Sequence, residues 1–487
     1  MASHEKKNLQ RQDENIVENI QLNIWEALIP VVCLMALLAY NIFGRDGAWL
    51  GDYSNQYILL VGAAIAAVVG LFNKTSVATM IAEIWENLKS VLLPICILIL
   101  VGALAGTWLV SGVIPAMVYY GLQVLSPEIF LPASVVIAAI ISIATGSSWT
   151  TSATVGIALI GIGRALGIPT GMIAGAVISG AYFGDKMSPL SDTTNLAPAM
   201  AGTDLFTHIK YMSFTTVPTI IITLIVFSIL SFSIDTSGSA NISGLLTTID
   251  ATFNITPWLF LVPVGVVVLI ILKTKPLIAL GAGVLLAVVF ALMFQPEVLG
   301  MIGSTNIGAL FTAITTDVAI VTDNATLNDL FTASGIMGML LTILLIICAM
   351  VFGGVMDGIG ALSRITTALL SVAKSTFGLF SSTVLSCIGL NVVASDQYLA
   401  IVIPGKMFKQ AYEDKGLAPE NLSRTLEDSG TVTSVLIPWN TCGAYQAGVL
   451  GVGVGEYFVY AIFNWLSPIM TLIFAGFGIK IRELVKK

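Results

Sequence analysis

Long apolar runs recur along this chain, and they restrict it to a membrane fold. A helix that rises about 1.5 Å per residue needs such a run to cross about 30 Å of hydrocarbon. The runs cover residues 24–43, 56–72, 91–110, 213–232, 257–272, 276–294, 333–356 and 455–479. Only 10% of the residues are charged and 56% are hydrophobic, so the chain lacks the charged surface of a soluble globule. The sequence therefore predicts an all-α polytopic membrane protein.

Two further apolar regions, 129–203 and 376–450, are broken by polar strings. The first string is Gly184–Asn195 and the second is Glu427–Cys442. Such residues cost several kcal/mol in lipid and persist mainly where broken helices line a cavity. The strings therefore indicate a transport site.

The distribution of Lys and Arg predicts which segments face the cytoplasm. Segments 233–256 and 295–332 contain neither residue, whereas 411–424 and both ends of the chain contain several. Because positive charge stays inside, the first two should face outward and both termini inward. The predicted order is a cytoplasmic tail 1–23, a first transmembrane repeat 24–232, an outer connecting loop 233–256, a second repeat 257–479 and a cytoplasmic tail 480–487.

Charge and cysteine usage exclude several other classes. The net charge of −7 and the lack of a basic cluster argue against nucleic-acid binding. The five cysteines stand singly with no CxxC pair, which argues against a zinc site or a disulfide scaffold. The polar N-terminus is unlike a signal peptide, so the first apolar run should be a retained span.

The two halves of the chain share landmarks at an offset of about 247 residues. The matching landmarks are 106–112 with 353–358, Ser148 with Ser395, and Thr193 with Asn440. Under the predicted orientation the corresponding spans run in opposite directions. We therefore predict two inverted-topology repeats with re-entrant hairpins and discontinuous helices, the architecture of secondary transporters. Chance symmetry of hydropathy is the alternative.

Each broken region contains a predicted hairpin tip that is rich in oxygen donors. The first tip, 144–152, includes Ser147, Ser148 and Thr150, and the second, 391–398, includes Ser395 and Asp396. Hydroxyls and freed carbonyls could ligate a small hard cation. Alternatively, these hydroxyls are packing residues that bond to the preceding helical turn.

Acidic residues beside the first break are candidates for proton coupling. Pro189 removes a backbone donor and leaves carbonyls free, and Asp192 follows it closely. A buried carboxylate there could hold a cation or a proton in turn, which is the basis of antiport. Asp185 is the second candidate, although it could form an ion pair with Lys186 or lie in a cytoplasmic loop.

The second string is chemically different from the first. Glu427 and Asp428 lead into a break at Pro438–Thr441, where Trp439 stands at the offset position of Asp192. The carboxylate is therefore missing from this break. Glu427 and Asp428 could alternatively cap a cytoplasmic helix. His208 is expected to be solvated, with a regulatory role left open.

These patterns give a full set of candidate site residues. The proposed proton- and sodium-coupling acids are Asp192, Asp185, Asp396, Glu427 and Asp428. The proposed sodium or substrate ligands are Ser147, Ser148, Thr150, Ser191, Thr193, Thr194, Asn195, Ser395, Asn440 and Thr441. A hypothetical sodium ion is placed at Asp192, Asn195, Ser148, Ser395 and Asn440. No resident cofactor is expected, only transported Na⁺ and H⁺.

The strings 184–197 and 427–444 resemble the signature strings of the NhaC-type sodium/proton antiporters, within the wider ion transporter superfamily. The resemblance spans nearly the whole chain. It implies an inverted-repeat fold with two re-entrant hairpins, a homodimer and a bacterial inner membrane. Relatives in the superfamily include malate/lactate antiporters and amino-acid transporters, so the resemblance specifies the substrate less well than the family.

Sodium/proton antiport by alternating access is the leading prediction, with the lipid bilayer, sodium ions and protons as partners and no enzymatic activity. The main alternative is sodium- and proton-coupled exchange of small organic anions, of the malate/lactate type, or of amino acids. Two other classes stay open. An intramembrane aspartyl protease would need two buried Asp, of which Asp185 after Gly184 would be one, and a passive channel would carry ions without proton coupling.

Overall fold

The chain is almost entirely helical in the computed structural model, which describes residues 17–19, 21–45, 49–234, 242–272 and 274–484. Most of the predicted N-terminal tail, part of segment 233–256 and the last three residues lie outside these ranges. The first-half helices are α1 (Ile24–Arg45), α2 (Ser54–Phe72), α3 (Val77–Ser90), α4 (Leu92–Val110), α5 (Val113–Val124), α6 (Pro127–Thr145), α7 (Ser148–Thr151), α8 (Ile157–Ala165), α9 (Thr170–Met187), α10 (Asp192–Ala201) and α11 (Leu205–Ser233).

The second half of the chain is also mainly helical. Its helices are α12 (Ile242–Thr252), α13 (Leu261–Ile271), α14 (Pro276–Phe294), α15 (Pro296–Ile302), α16 (Asn306–Thr315), α17 (Ala325–Leu330), α18 (Gly335–Gly358), α19 (Ala361–Ser371), α20 (Thr376–Val393), α21 (Gln397–Asp414), α22 (Pro419–Leu426), α23 (Thr441–Leu450), α24 (Val454–Tyr457) and α25 (Ile462–Gly476). The π-helical segments are Ser152–Gly156 and Glu427–Thr431, and the 3₁₀ segments are Pro257–Phe260, Ser434–Leu436 and Phe458–Tyr460. Strands β1 (Val318–Ala319) and β2 (Thr332–Ala333) pair antiparallel.

Eight of the described helices are long and apolar enough to cross a membrane, and up to eleven spans result if three bent helix pairs each count as one. This confirms the all-α polytopic fold. The predicted span 257–272 is one arm of a pair bent by 87° with α12. The segments expected as long loops, 233–256 and 295–332, contain α12 and α15 to α17. These helices are partly apolar but too short for their sequences to predict a membrane span.

Helix boundaries repeat along the chain at a constant spacing. Helices α10 and α23 are each ten residues long, and each boundary of α23 lies 249 residues after the matching boundary of α10. Gly146 and Ser395, also 249 apart, both adopt left-handed φ angles, of +69° and +60°. This spacing is two residues larger than the offset of about 247 predicted from the landmarks. The inverted orientation of the halves stays a prediction.

Polar residues at the breaks begin the helices that follow. An unsatisfied backbone N–H in the first helical turn favours a Ser, Thr, Asp or Asn cap. Four such caps stand at the breaks: Ser147 before α7, Ser191 before α10, Asp396 before α21 and Asn440 before α23. The predicted interruptions at Pro189 and Pro438 are confirmed, since both prolines lie between helices. That the hairpins re-enter the membrane stays a prediction.

Close packing between α6 and α9 positions the first polar string. A Cβ atom added to Gly184 would lie 2.5 Å from the Ala139 carbonyl oxygen, so only glycine permits this approach. Ser142 on α6 also donates its hydroxyl to the Ala181 carbonyl at 2.6 Å. The last turn of α9 is thereby held beside the break that separates α6 from α7.

Candidate functional site

One cavity of about 440 Å³ gathers residues from both halves of the chain. Its wall includes the breaks before α7, α10 and α21, together with parts of α4 and the start of α14. The predicted site residues that line it are Ser147, Thr150, Asp185, Ser191, Asp192, Thr193, Asp396 and Thr441. Residues more than 200 positions apart in sequence therefore share one site.

Asp185 joins the first polar string to the first hairpin tip. Its Oδ2 accepts hydrogen bonds from the Ser148 backbone N at 3.1 Å and from the Ser148 hydroxyl at 2.7 Å. The left-handed conformation of Gly146 turns the chain into this contact. Asp185 is only 9% exposed and lies within α9, so the interpretation of this residue as part of a cytoplasmic loop is wrong.

Asp192 is the first residue of α10, and its exposed side chain borders the cavity. Among the described residues no side chain or backbone group forms a hydrogen bond with its carboxylate. The neighbouring Ser191 caps α10 by accepting from the Thr194 backbone N at 3.4 Å. The Asp192 oxygens are therefore available to a ligand within the cavity.

Thr193 connects the two polar strings. Its hydroxyl donates to Glu427 Oε1 at 3.0 Å. Glu427 is fully buried, and within the described part of the chain its Oε2 has no hydrogen-bond partner. Because Glu427 lies inside a continuous helical segment, the interpretation of it as a helix cap is wrong. Its carboxylate instead stands directly behind the cavity wall.

Asp396 and Ser395 form the second hairpin tip. Asp396 accepts from the backbone N atoms of Tyr398 at 2.8 Å and Leu399 at 3.1 Å, which fixes the start of α21. The Ser395 carbonyl accepts from the Thr441 backbone N at 2.9 Å, so the tip is tied to the second string. The Ser395 hydroxyl is buried and lacks a partner among the described residues.

Asp428 forms a buried ion pair with Lys186, and both side chains are fully buried. The Thr215 hydroxyl also donates to Asp428 Oδ2 at 2.9 Å, and Thr471 donates to the same oxygen. The predicted pairing of Lys186 with Asp185 is therefore wrong, as is the capping role for Asp428. The sequence predicted Asp428 to be one of the coupling acids. In the structure it does not line the cavity.

The five residues of the predicted sodium set have different contacts in the structure. Asn195 donates to the carbonyls of Pro189 at 3.0 Å and Ser191 at 2.7 Å, and so closes the first break. Asn440 caps α23 and donates to the Asn391 carbonyl at 3.1 Å. Neither amide lines the cavity, and of the five only Asp192 does.

Thr194 also binds to backbone groups. Its hydroxyl lies within hydrogen-bond distance of the carbonyls of Asp185, at 3.2 Å, and Lys186, at 3.1 Å. These carbonyls lie in the last turn of α9, where no helical N–H reaches them. Thr194 therefore stabilises the break instead of facing a transported ion. His208, expected to be solvated, is fully buried with its Nδ1 2.8 Å from the Ser423 hydroxyl.

The cavity combines three carboxylates, Asp185, Asp192 and Asp396, with hydroxyls and backbone groups. Within the described ranges no three His, Cys, Asp or Glu side chains meet in a metal-binding arrangement. Mixed oxygen donors suit a small hard cation, and carboxylates can exchange it for protons. Polytopic helices with acids at paired helix breaks define a secondary transporter.

The comparisons with known proteins identify the family. The model of the Na⁺/H⁺ antiporter family matches residues 180–479. The chain is 40% identical over 425 residues to the Na⁺/H⁺ antiporter NhaC of Alkalihalophilus pseudofirmus, covering 87% of this chain and 90% of the relative. The chain therefore belongs to the Na⁺/H⁺ antiporter family, which confirms the resemblance of the polar strings.

Relatives with other substrates match over similar lengths. The malate-2H⁺/Na⁺-lactate antiporter of Bacillus subtilis is 35% identical over 91% of this chain and 92% of its own length. The arginine/ornithine antiporter ArcD of Halobacterium salinarum is 33% identical over 93% of this chain and 92% of its own. Family membership alone therefore does not determine which solute is exchanged.

Several residues at the site escaped the sequence analysis. Thr215 belongs to a stripe with Thr219 and Thr223, spaced four residues apart on α11, and this helical spacing could have marked a polar face. Thr471, which also contacts Asp428, stands alone in an apolar segment and gave no signal. Lys275 and other lining residues lie far from both strings and become neighbours only through the fold.

Proposed function

We propose that this chain is a sodium/proton antiporter that works by alternating access, with the cavity carboxylates holding sodium or protons in turn. The observation that carries the proposal is that Asp185, in the last turn of α9, and Asp192 and Asp396, at two helix breaks, line one cavity. Competition between the two cations for the same oxygens couples their transport, because a carboxylate must release its proton before it binds sodium. The activity named for its 40% identical relative supports the same reaction.

The three acids differ in how much of their hydrogen-bonding capacity the protein already uses. Asp396 accepts two backbone N–H groups, and Asp185 accepts two donors from Ser148. Asp192 accepts none from the described residues and keeps all its lone pairs for an ion or a proton. We therefore assign the principal exchange role to Asp192 and supporting roles to Asp185 and Asp396.

Reconstitution in proteoliposomes tests this function. An imposed sodium gradient should drive a change of internal pH with the wild-type protein. Asp192→Asn should abolish the coupled flux while the protein stays folded, because an amide of the same size cannot bind a proton reversibly. Asp250→Asn, at an acid outside the cavity lining, is the matched control. Near-normal coupled flux with Asp192→Asn would refute the assignment.

Exchange of small organic anions or amino acids is the second candidate. A volume of about 440 Å³ exceeds what a bare cation needs, and Lys275, Trp149 and Tyr398 contribute to the wall. An ammonium group and aromatic side chains in one cavity wall suit a carboxylate-bearing solute. Sodium flux that requires malate, lactate or arginine inside the vesicles, and that Lys275→Gln weakens, would favour this candidate.

We also propose a homodimer in a bacterial inner membrane, with both termini cytoplasmic and no enzymatic activity. The orientation is supported by the Lys and Arg asymmetry of the loops. The assembly and the membrane are supported by the family resemblance. Cross-linking of the reconstituted protein at increasing lipid dilution tests the dimer, which should persist where random collisions would fade.

A further inference from the structure

A second cavity, of about 500 Å³, lies where the start of α11 meets the C-terminal segment. Its lining residues are Thr207, Lys210, Tyr211, Phe214, Lys480, Ile481 and Arg482. It shares none of these with the transport cavity. Neither polar string lines it, so the transport function leaves it unexplained.

The cavity is a built pocket, because its floor is fixed by hydrogen bonds. The Tyr211 hydroxyl donates to Asn421 Oδ1 at 2.6 Å and also contacts the Lys480 carbonyl. The Asn421 side-chain amide donates to the Arg482 carbonyl at 2.7 Å. The Leu484 backbone N further donates to the Gly416 carbonyl at 2.8 Å. The C-terminal segment is thereby fastened as one wall of the pocket.

The pocket carries an excess of positive charge in a protein whose net charge is −7. Arg482 pairs with Glu420 at 2.7 Å. Lys210 and Lys480, by contrast, form no ion pair with any described carboxylate, and the Lys480 ammonium lies 4.8 Å from the centre of the Phe214 ring.

A fourth cation stands behind the pocket floor. Arg424 is fully buried, and its guanidinium lies 4.6 Å from the centre of the Tyr211 ring. Its Nε and Nη2 atoms have no hydrogen-bond partner among the described residues. Such buried and weakly compensated charge raises the positive potential of the pocket. An anion is therefore the ligand that this pocket would attract.

The location of the pocket narrows the anion to one at the membrane surface. The lining residues of α11 lie within the first three turns of a membrane-spanning helix. Phe206 and Phe477, beside the two lining segments in sequence, are 73% and 80% exposed, as expected where side chains meet lipid. Basic pockets at the ends of transmembrane helices bind acidic headgroups. We propose that this pocket binds the phosphate headgroup of an acidic phospholipid, such as phosphatidylglycerol.

Lipid binding to the purified full-length protein in detergent tests the proposal. Native mass spectrometry should show phosphatidylglycerol retained in preference to phosphatidylcholine, and phosphatidylglycerol should raise Tm. Lys210→Gln/Lys480→Gln should weaken this binding about thirtyfold (about 2 kcal/mol), since each basic residue near an anionic surface contributes about 1 kcal/mol. The control Lys89→Gln/Arg164→Gln removes the same charge elsewhere and should bind like wild type.

Three outcomes would overturn the proposal. Equal retention of phosphatidylcholine would remove the charge selectivity, and undiminished binding by Lys210→Gln/Lys480→Gln would place the lipid elsewhere. Inorganic phosphate that raises Tm as much as phosphatidylglycerol would make a soluble anion the ligand. Lys210→Arg/Lys480→Arg should restore binding if charge is what the pocket recognises, which separates recognition from a folding defect.

Discussion

Breaking the buried pair Lys186–Asp428 should destabilise the protein more than any surface ion pair. Both side chains are fully buried, so removal of one leaves the other as an uncompensated charge away from water. Such a loss costs about 3–5 kcal/mol, whereas an exposed pair contributes about 0–1 kcal/mol. The exposed pair Lys89–Glu86, at 2.8 Å, provides the contrast within the same chain.

The surroundings of the two charges predict which of the two substitutions destabilises the protein more. Without Lys186, Asp428 keeps the hydroxyls of Thr215 and Thr471 as donors, and hydrogen bonds to charged groups contribute about 1.5–3 kcal/mol each. Without the carboxylate of Asp428, Lys186 has no other ion pair among the described residues. It retains the Phe463 ring, whose centre lies 5.6 Å from its ammonium, and the more distant carboxylate of Glu427. We therefore expect about 3 kcal/mol for Lys186→Met and about 5 kcal/mol for Asp428→Asn.

A double-mutant cycle measured by reversible unfolding in mixed micelles gives these values. The double variant Lys186→Met/Asp428→Asn removes both charges, so its loss should be clearly smaller than the sum of the single losses. Lys89→Met should change the free energy of unfolding by less than about 1 kcal/mol. Additive losses, or a loss below about 1 kcal/mol for Asp428→Asn, would refute the reasoning that the pair compensates two buried charges.

Three further results are expected. Ser148→Ala should raise the sodium concentration for half-maximal transport, because Asp185 loses the hydroxyl donor at 2.7 Å; transport assays across pH would contradict this if the sodium dependence were unchanged. Sodium binding should release protons, and its apparent affinity should rise with pH as the site acids ionise; calorimetry in two buffers of different ionisation enthalpy would refute the competition if no proton were released between about pH 6 and pH 9. A cysteine at Met301 should react with an impermeant reagent in intact cells and one at Lys415 should not, in a background without native cysteines; the opposite result would invert the predicted topology.

The sequence predicted the breaks well because their chemistry is local. Pro189 and Pro438 interrupt helices wherever they occur, and hydroxyl or amide caps begin the next helix. It also predicted which segments meet, since polar groups in lipid pair with one another or line a cavity. Eight of the fifteen candidate residues line that cavity. Local patterns therefore sufficed for the positions of the breaks and for the acidic and hydroxyl residues that they bring to the cavity wall.

The individual partners of the charged residues depend on helix packing, which sequence spacing does not encode. Lys186 and Asp185 are neighbours in the chain, but successive residues on a helix point in directions about 100° apart. Asp185 therefore faces Ser148 while Lys186 faces Asp428. Asn195 and Asn440 were assigned to the ion because they are amides in a polar string. Their actual contacts, to backbone groups of the breaks, require the folded geometry.

The spacing of 249 residues relates every cavity acid to a hydroxyl in the other half. Asp185 corresponds to Ser434, Asp192 to Thr441 and Asp396 to Ser147. Acids in place of Ser147 and Thr441, which line the same cavity of about 440 Å³, would crowd negative charge around it, and like charges at short range raise the free energy of the ionised state. Hydroxyls at these positions avoid this repulsion, and those of Ser147 and Thr441 still offer oxygen at the cavity wall. The two halves therefore have helix breaks at a constant spacing but different side chains there, and the resulting small number of carboxylates suits the proposed alternation of sodium and protons.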